Sequence, residues 1–212
     1  MVRKFHPLGL LSFALLLLGS PEVIALEETG DGQTACGASL ETPFLQAMAD
    51  RGDTGAMVYL GRKLLEQACS EADYDAGLNW LDRAAQASDP EALFLLGKLL
   101  VASAHSPEET DFGLSYLERS AQLRHPEAAA FWGAHLMSIS RSLQEREVAF
   151  FWLGQAASDG SVIAAMTTAH LFQEGQHGVQ RDTCSAALWR QVAVLVQHPE
   201  LEQDMSSPDA CE

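Results

Sequence analysis

The residues able to do covalent chemistry are few and scattered. Four cysteines, Cys36, Cys69, Cys184 and Cys211, form an even set. Such a set suits two disulfides in an oxidising compartment, and four thiols allow three connectivities. There is no Cys-x-x-Cys and no His-Glu-x-x-His, so a zinc site has no recognisable ligand set and no metal is expected. A Gly-x-Ser-x-Gly elbow, a phosphate-cradling glycine loop and a Ser-x-x-Lys pair are all missing as well, so neither a catalytic residue nor a cofactor is expected. His170 and His177 are seven apart, but Gly175 separates them. His125 and His198 each precede a proline, where a helix cap is expected. What remains is non-covalent. Beyond residue 25 the lysines are Lys63 and Lys98, and Arg62, Lys98, Ala134 and His170 recur at intervals of 36. A guanidinium and an ammonium in such a stripe can receive a carboxylate through charge-assisted hydrogen bonds.

The elements that must position these groups follow from composition and period. The chain has 212 residues, 47% hydrophobic and 20% charged, which a packed core requires and a disordered chain lacks. Its formal charge of −16 leaves no basic surface for a phosphate backbone, so no nucleic-acid partner is expected. Residues 1–25 read as a secretory signal peptide. Arg3 and Lys4 are its charged start, Leu8 to Gly19 its apolar core, and Val23 and Ala25 the compact residues before a cleavage point. The apolar run stops at Pro21 and Glu22, short of the roughly 20 residues that span a bilayer. No stable membrane insertion is expected once it is cleaved, and the location would be periplasmic or secreted.

One period of 36 residues organises the rest. Ala56, Ala92, Ala128 and Ala164 are in phase, as are Gly61, Gly97, Gly133 and Ala169, and Trp80, Tyr116, Trp152 and Leu188. Half a unit precedes them: Phe44, Leu45, Met48 and Ala49 match Trp80, Leu81, Ala84 and Ala85. Within a unit the apolar steps are three and four, the helical spacing. Each unit therefore reads as a helix A, a loop and a helix B. The A helices are expected over 54–66, 90–103, 126–139 and 162–174, and the B helices over 40–51, 74–87, 110–123, 145–158 and 182–196. Another short helix is expected over 199–206. Glycine costs about 1 kcal/mol in a helix interior, so three at one phase imply close approach of A to B, with Ala84–Ala85 and Ala156–Ala157 as the complementary small surface.

These columns resemble the Sel1-like repeat, a relative of the tetratricopeptide repeat. The fourth copy carries the resemblance best, with the Gly-containing stretch 174–182 and the Ala-Ala-Leu-Trp run at 186–189. The first three copies keep the Ala, Gly and Leu columns but lack that loop. The resemblance implies an all-α, right-handed α-solenoid of about four and a half hairpins that serves as a protein-binding scaffold, with the A helices lining its concave face. The expected organisation is a signal peptide at 1–25, an N-terminal segment at 26–38, the solenoid at 39–197 and a short capping segment at 198–212.

In this frame all four cysteines fall on the edge that carries the A–B loops. Neighbouring helices lie about 8–10 Å apart, and a disulfide tolerates Cα separations of about 4.4–6.8 Å. Cys36–Cys69 and Cys184–Cys211 are thus the reachable pairs, one at each end of the array. The expected partner is a protein or peptide in the concave groove, held by Tyr59, Arg62, Lys63, Phe94, Lys98 and His170. The expected function is a non-enzymatic, exported scaffold or adaptor of an envelope complex or regulatory system. Two alternatives stay open: a secreted effector that binds a host protein, and a hydrolase of the β-lactam-binding Sel1-like type. Against the hydrolase stand the two middle units, which hold no cysteine pair.

Overall fold

The computed structural model describes residues 43–203, all of which belong to one unit. The expected signal peptide, the segment 26–38, Cys36 and Cys211 lie outside the described residues. Nine α-helices follow in order: α1 (Pro43–Asp50), α2 (Thr54–Glu66), α3 (Glu71–Gln86), α4 (Pro90–Ser103), α5 (Pro107–Gln122), α6 (Pro126–Ile139), α7 (Leu143–Ser158), α8 (Val162–Glu174) and α9 (Thr183–Gln197). A 3₁₀ turn over Pro199–Gln203 closes the described residues, among which no strand occurs. Helices α2 with α3, α4 with α5, α6 with α7 and α8 with α9 pack as hairpins, and each hairpin packs on the next. The result is an α-solenoid, with A helices α2, α4, α6 and α8 and B helices α1, α3, α5, α7 and α9.

The A helices occupy the expected ranges. Two B helices begin three residues earlier than expected because of serine caps that the apolar pattern does not show. Ser70, Ser106 and Ser142 each accept the N–H three residues on, at Asp73, Glu109 and Glu145. This satisfies a backbone donor that the first turn leaves unpaired. A side-chain oxygen or nitrogen does the same at the start of each A helix: Asp53, Asp89, His125 and Ser161, again 36 apart. The residue before each of these four caps has positive φ: Gly52 (99°), Ser88 (64°), Arg124 (65°) and Gly160 (103°). There the B helix ends in a Schellman-type turn; in the second unit, Ser88 N donates to Ala85 O (2.9 Å) and Asp89 N to Ala84 O (3.0 Å). The short helix expected over 199–206 is a 3₁₀ turn over Pro199–Gln203, and the rest of that range lies outside the described residues.

The recurrent glycines do bring A against B, but the surface they meet differs from the expected alanines. A Cβ on Gly61 would fall 2.8 Å from Leu81 Cγ and 2.9 Å from the Gly77 carbonyl oxygen; Gly97 repeats this against Leu117 and Gly113. Ala84, Ala85, Ala156 and Ala157 instead lie in the core with the A-helix alanines of neighbouring units. Gly77 and Gly113 are a second small-residue column, on the B helices. Most of the buried apolar residues fall in two clusters, one within 49–96 and the other within 121–193, and the fully buried Leu117 of α5 lies in neither.

Candidate functional site on the A-helix face

Helical spacing places Tyr59 beside Lys63 on α2 and Phe94 beside Lys98 on α4, four residues apart in each case. The Lys63 ammonium lies 5.9 Å from the Tyr59 ring centre, and the Lys98 ammonium 5.2 Å from that of Phe94. Both distances are within the range where a cation is drawn to a ring face. The same Phe94 ring stacks on His125 of the next unit, with centroids 4.6 Å apart. His125 caps α6 by accepting the Ala128 N–H at Nδ1 (3.2 Å), so its proton is assigned to Nε2, which donates to Glu91 Oε2 (2.7 Å). Glu91 Oε1 in turn faces Arg62 Nη1 at 3.6 Å. One line of contacts therefore runs Lys98, Phe94, His125, Glu91, Arg62 and joins three successive A helices.

The Glu91–His125 contact lies outside the expected groove set, although Glu91 itself stands where an acid at a helix N-terminus is read from the sequence. Pro-Glu follows the caps Asp89 and His125, at 90–91 and 126–127, and sets an acid at the positive end of each of those two helices. His125 is buried, and both its nitrogens are engaged. Neither is left to accept a proton from a substrate, so its work is capping and inter-unit linkage. The Arg62–Glu91 pair is partly exposed, 49% and 38% by side chain, which limits it to about 1 kcal/mol or less. The cationic stripe is thus a mixed one, with an acid set between Arg62 and Lys98.

Arg62, Lys63 and Tyr59 line a hollow of about 340 Å³ together with Glu66 and Gln67. A second hollow, of about 270 Å³, lies between α2 and α4. Its floor is Leu65, Leu81, Leu95 and Leu99, and Arg62, Lys98 and Glu66 stand at its edge. The structure thus gathers five of the six expected groove residues on α2 and α4. His170 is exposed on α8, two units on from α4. Exposed apolar groups stand on α6, between α4 and α8, at Phe131, and on α8 itself at Ile163 and Met166. Among the described residues no cluster of three or more His, Cys, Asp or Glu could hold a metal ion, and no helix is long and apolar enough to cross a membrane.

In-phase two-helix units joined by one recurring turn define an α-helical repeat protein. More narrowly, the fold is that of Sel1-like repeat proteins. A Sel1 repeat protein from Oxalobacter formigenes superposes with a TM-score of 0.60 at 23% identity, over 71% of this chain and 61% of that one. A protective antigen of uropathogenic Escherichia coli strains with an SLR fold gives 0.57 at 23% identity, over 70% and 32%. An immunity protein from Pseudomonas aeruginosa gives 0.52 at 20% identity, over 78% and 61%. The chain covers less than two thirds of each of these structures. No family model matches the sequence, and no curated protein does.

Proposed function

We propose that the chain is a non-enzymatic, exported scaffold or adaptor of an envelope complex or regulatory system, and that it binds a protein or peptide on its A-helix face through Tyr59, Arg62, Lys63, Phe94, Lys98 and His170. The observation that carries this reading is the pair of aromatic–cation contacts on adjacent A helices, Tyr59 with Lys63 and Phe94 with Lys98. Aromatic and Arg groups are the side chains that most often anchor a protein interface, while charge complementarity speeds encounter. Export is supported by the signal-peptide layout of residues 1–25 and by the cysteines: among the described residues none is a free thiol. Cys69 follows α2 and Cys184 lies in the first turn of α9, where Cys36–Cys69 and Cys184–Cys211 pairing would tie each end of the chain to the array.

The test is crosslinking in intact cells followed by capture of the chain from the envelope fraction. Arg62→Ala with Lys98→Ala should abolish recovery of the crosslinked partner while the melting temperature stays within a few degrees. If recovery survives that pair but is lost on Asp82→Lys with Glu147→Lys, on α3 and α7, binding lies on the B-helix side and the proposal falls.

A further inference from the structure

The hollow between α2 and α4 combines three features. Its floor is aliphatic throughout: Leu81 is fully buried, and Leu65, Leu95 and Leu99 are half-buried. Its edge holds two cations with hydrogen-bonding capacity left over. Arg62 faces Glu91 through Nη1 at 3.6 Å, and a guanidinium offers five N–H donors. The Lys98 ammonium rests over the Phe94 ring and makes no hydrogen bond among the described residues. The third feature is an acceptor, the exposed carboxylate of Glu66, at the same edge. At about 270 Å³ the hollow is smaller than the roughly 300–1,000 Å³ of ordinary small-molecule sites, which suits one side chain.

From this geometry we infer that the hollow receives the C-terminal residue of a partner polypeptide, one with an aliphatic or aromatic side chain. A terminal residue brings all three complementary groups on a single Cα. Its side chain enters the leucine floor, its α-carboxylate meets Arg62 and Lys98, and its backbone N–H donates to Glu66. An internal Asp or Glu would deliver the charge and the apolar group from different residues. A fatty acid would bring the carboxylate and the apolar chain but no donor for Glu66. Charge bears on this as well: Arg62 and Lys98 line the hollow with Glu66, and although Glu91 engages Arg62 from outside the lining, Lys98 has no acid against it among the described residues. This inference rests on the A-helix face being the binding face and names the chemistry that face selects.

The experiment uses the whole folded chain with its leucine methyls isotopically labelled, titrated with N-acetylated hexapeptides of Gly and Ser that end in Leu or Phe. The free-acid peptides should shift the methyl resonances of Leu65, Leu95 and Leu99. Converting the terminus to a carboxamide, or the last residue to Ser, should weaken binding about tenfold or more, as should Lys98→Ala. Because the first two changes are made in the peptide, they leave the fold untouched. Equal binding of acid and amide overturns the inference. So does tighter binding of octanoate than of the Leu-ended acid, which would make the hollow a lipid site, and so does an absence of methyl shifts with every peptide at millimolar concentration. If cellular capture depends on Arg62 and Lys98 while these peptides do not bind, this inference fails and the A-face reading stands. Peptide binding with capture indifferent to Arg62 and Lys98 overturns the A-face reading for the cellular partner and leaves the hollow as a terminal-residue site.

Discussion

Gly97 sets how closely α4 approaches α5. A Cβ there would lie 2.8 Å from Leu117 Cγ and 3.1 Å from the Gly113 carbonyl oxygen, and the second of these is backbone that no side-chain rotation can move aside. Gly97→Leu is therefore expected to cost about 3 kcal/mol or more, at the upper end of overpacking effects. Glu118→Lys, whose contact is a 3.4 Å bond from Gln122 one turn along the same helix, should change stability by about 0.5 kcal/mol or less. Urea denaturation of both variants checks the pair, and an unchanged midpoint for Gly97→Leu would place the tight contact elsewhere. The need for a small residue at 61, 97 and 133 was legible in the sequence from phase alone. The surface it meets was not, because periodicity says which residues share a face and says nothing of how two helices are rotated against each other.

The helix starts show the same division at the next scale. Apolar spacing located the A helices, but the B helices begin at polar caps that carry no apolar signal. The Ser142 cap of α7 is reciprocal: Glu145 accepts the Ser142 N–H (3.0 Å) and also the Arg141 N–H (2.5 Å). Those two backbone hydrogen bonds, that from Arg141 first, hold the Glu145 carboxyl below the ordinary glutamate range. A folded value lower than the unfolded one means the charged cap contributes stability above the unfolded pKa of about 4.3, and that contribution is lost as pH falls through the folded value. Glu145→Gln keeps an acceptor and removes the titration. The difference in melting temperature between the natural chain and this variant should accordingly shrink as pH is lowered from about 6 to 3; a difference constant with pH would show that the charge does not stabilise the helix start. The candidate site divides likewise. Tyr59 with Lys63, and Phe94 with Lys98, could be paired by helical spacing, whereas the Glu91–His125 contact crosses between units and depends on how one hairpin is rotated onto the next.

Across the molecule, stability is local, because each hairpin packs mainly on its neighbours in the array. The ends of such an array have a neighbour on one side only, which is where the proposed Cys36–Cys69 and Cys184–Cys211 bridges would act. Non-reducing peptide mapping of the chain recovered from cells should yield those two linked pairs and no free thiol; a Cys36–Cys211 linkage would require the two ends to meet and would rule out a linear array. The recurring junction has a different consequence. At 52–53, 88–89, 124–125 and 160–161 a left-handed residue hands the chain to a helix cap, although the residue pairs are Gly-Asp, Ser-Asp, Arg-His and Gly-Ser. A gene that lost the codons for 89–124 would join Ser88 directly to His125, again a left-handed residue, a cap and then a proline. Recombination between units can thus shorten or lengthen the array without inventing a new turn, so the number of units is free to vary between lineages while the geometry of each joint is retained.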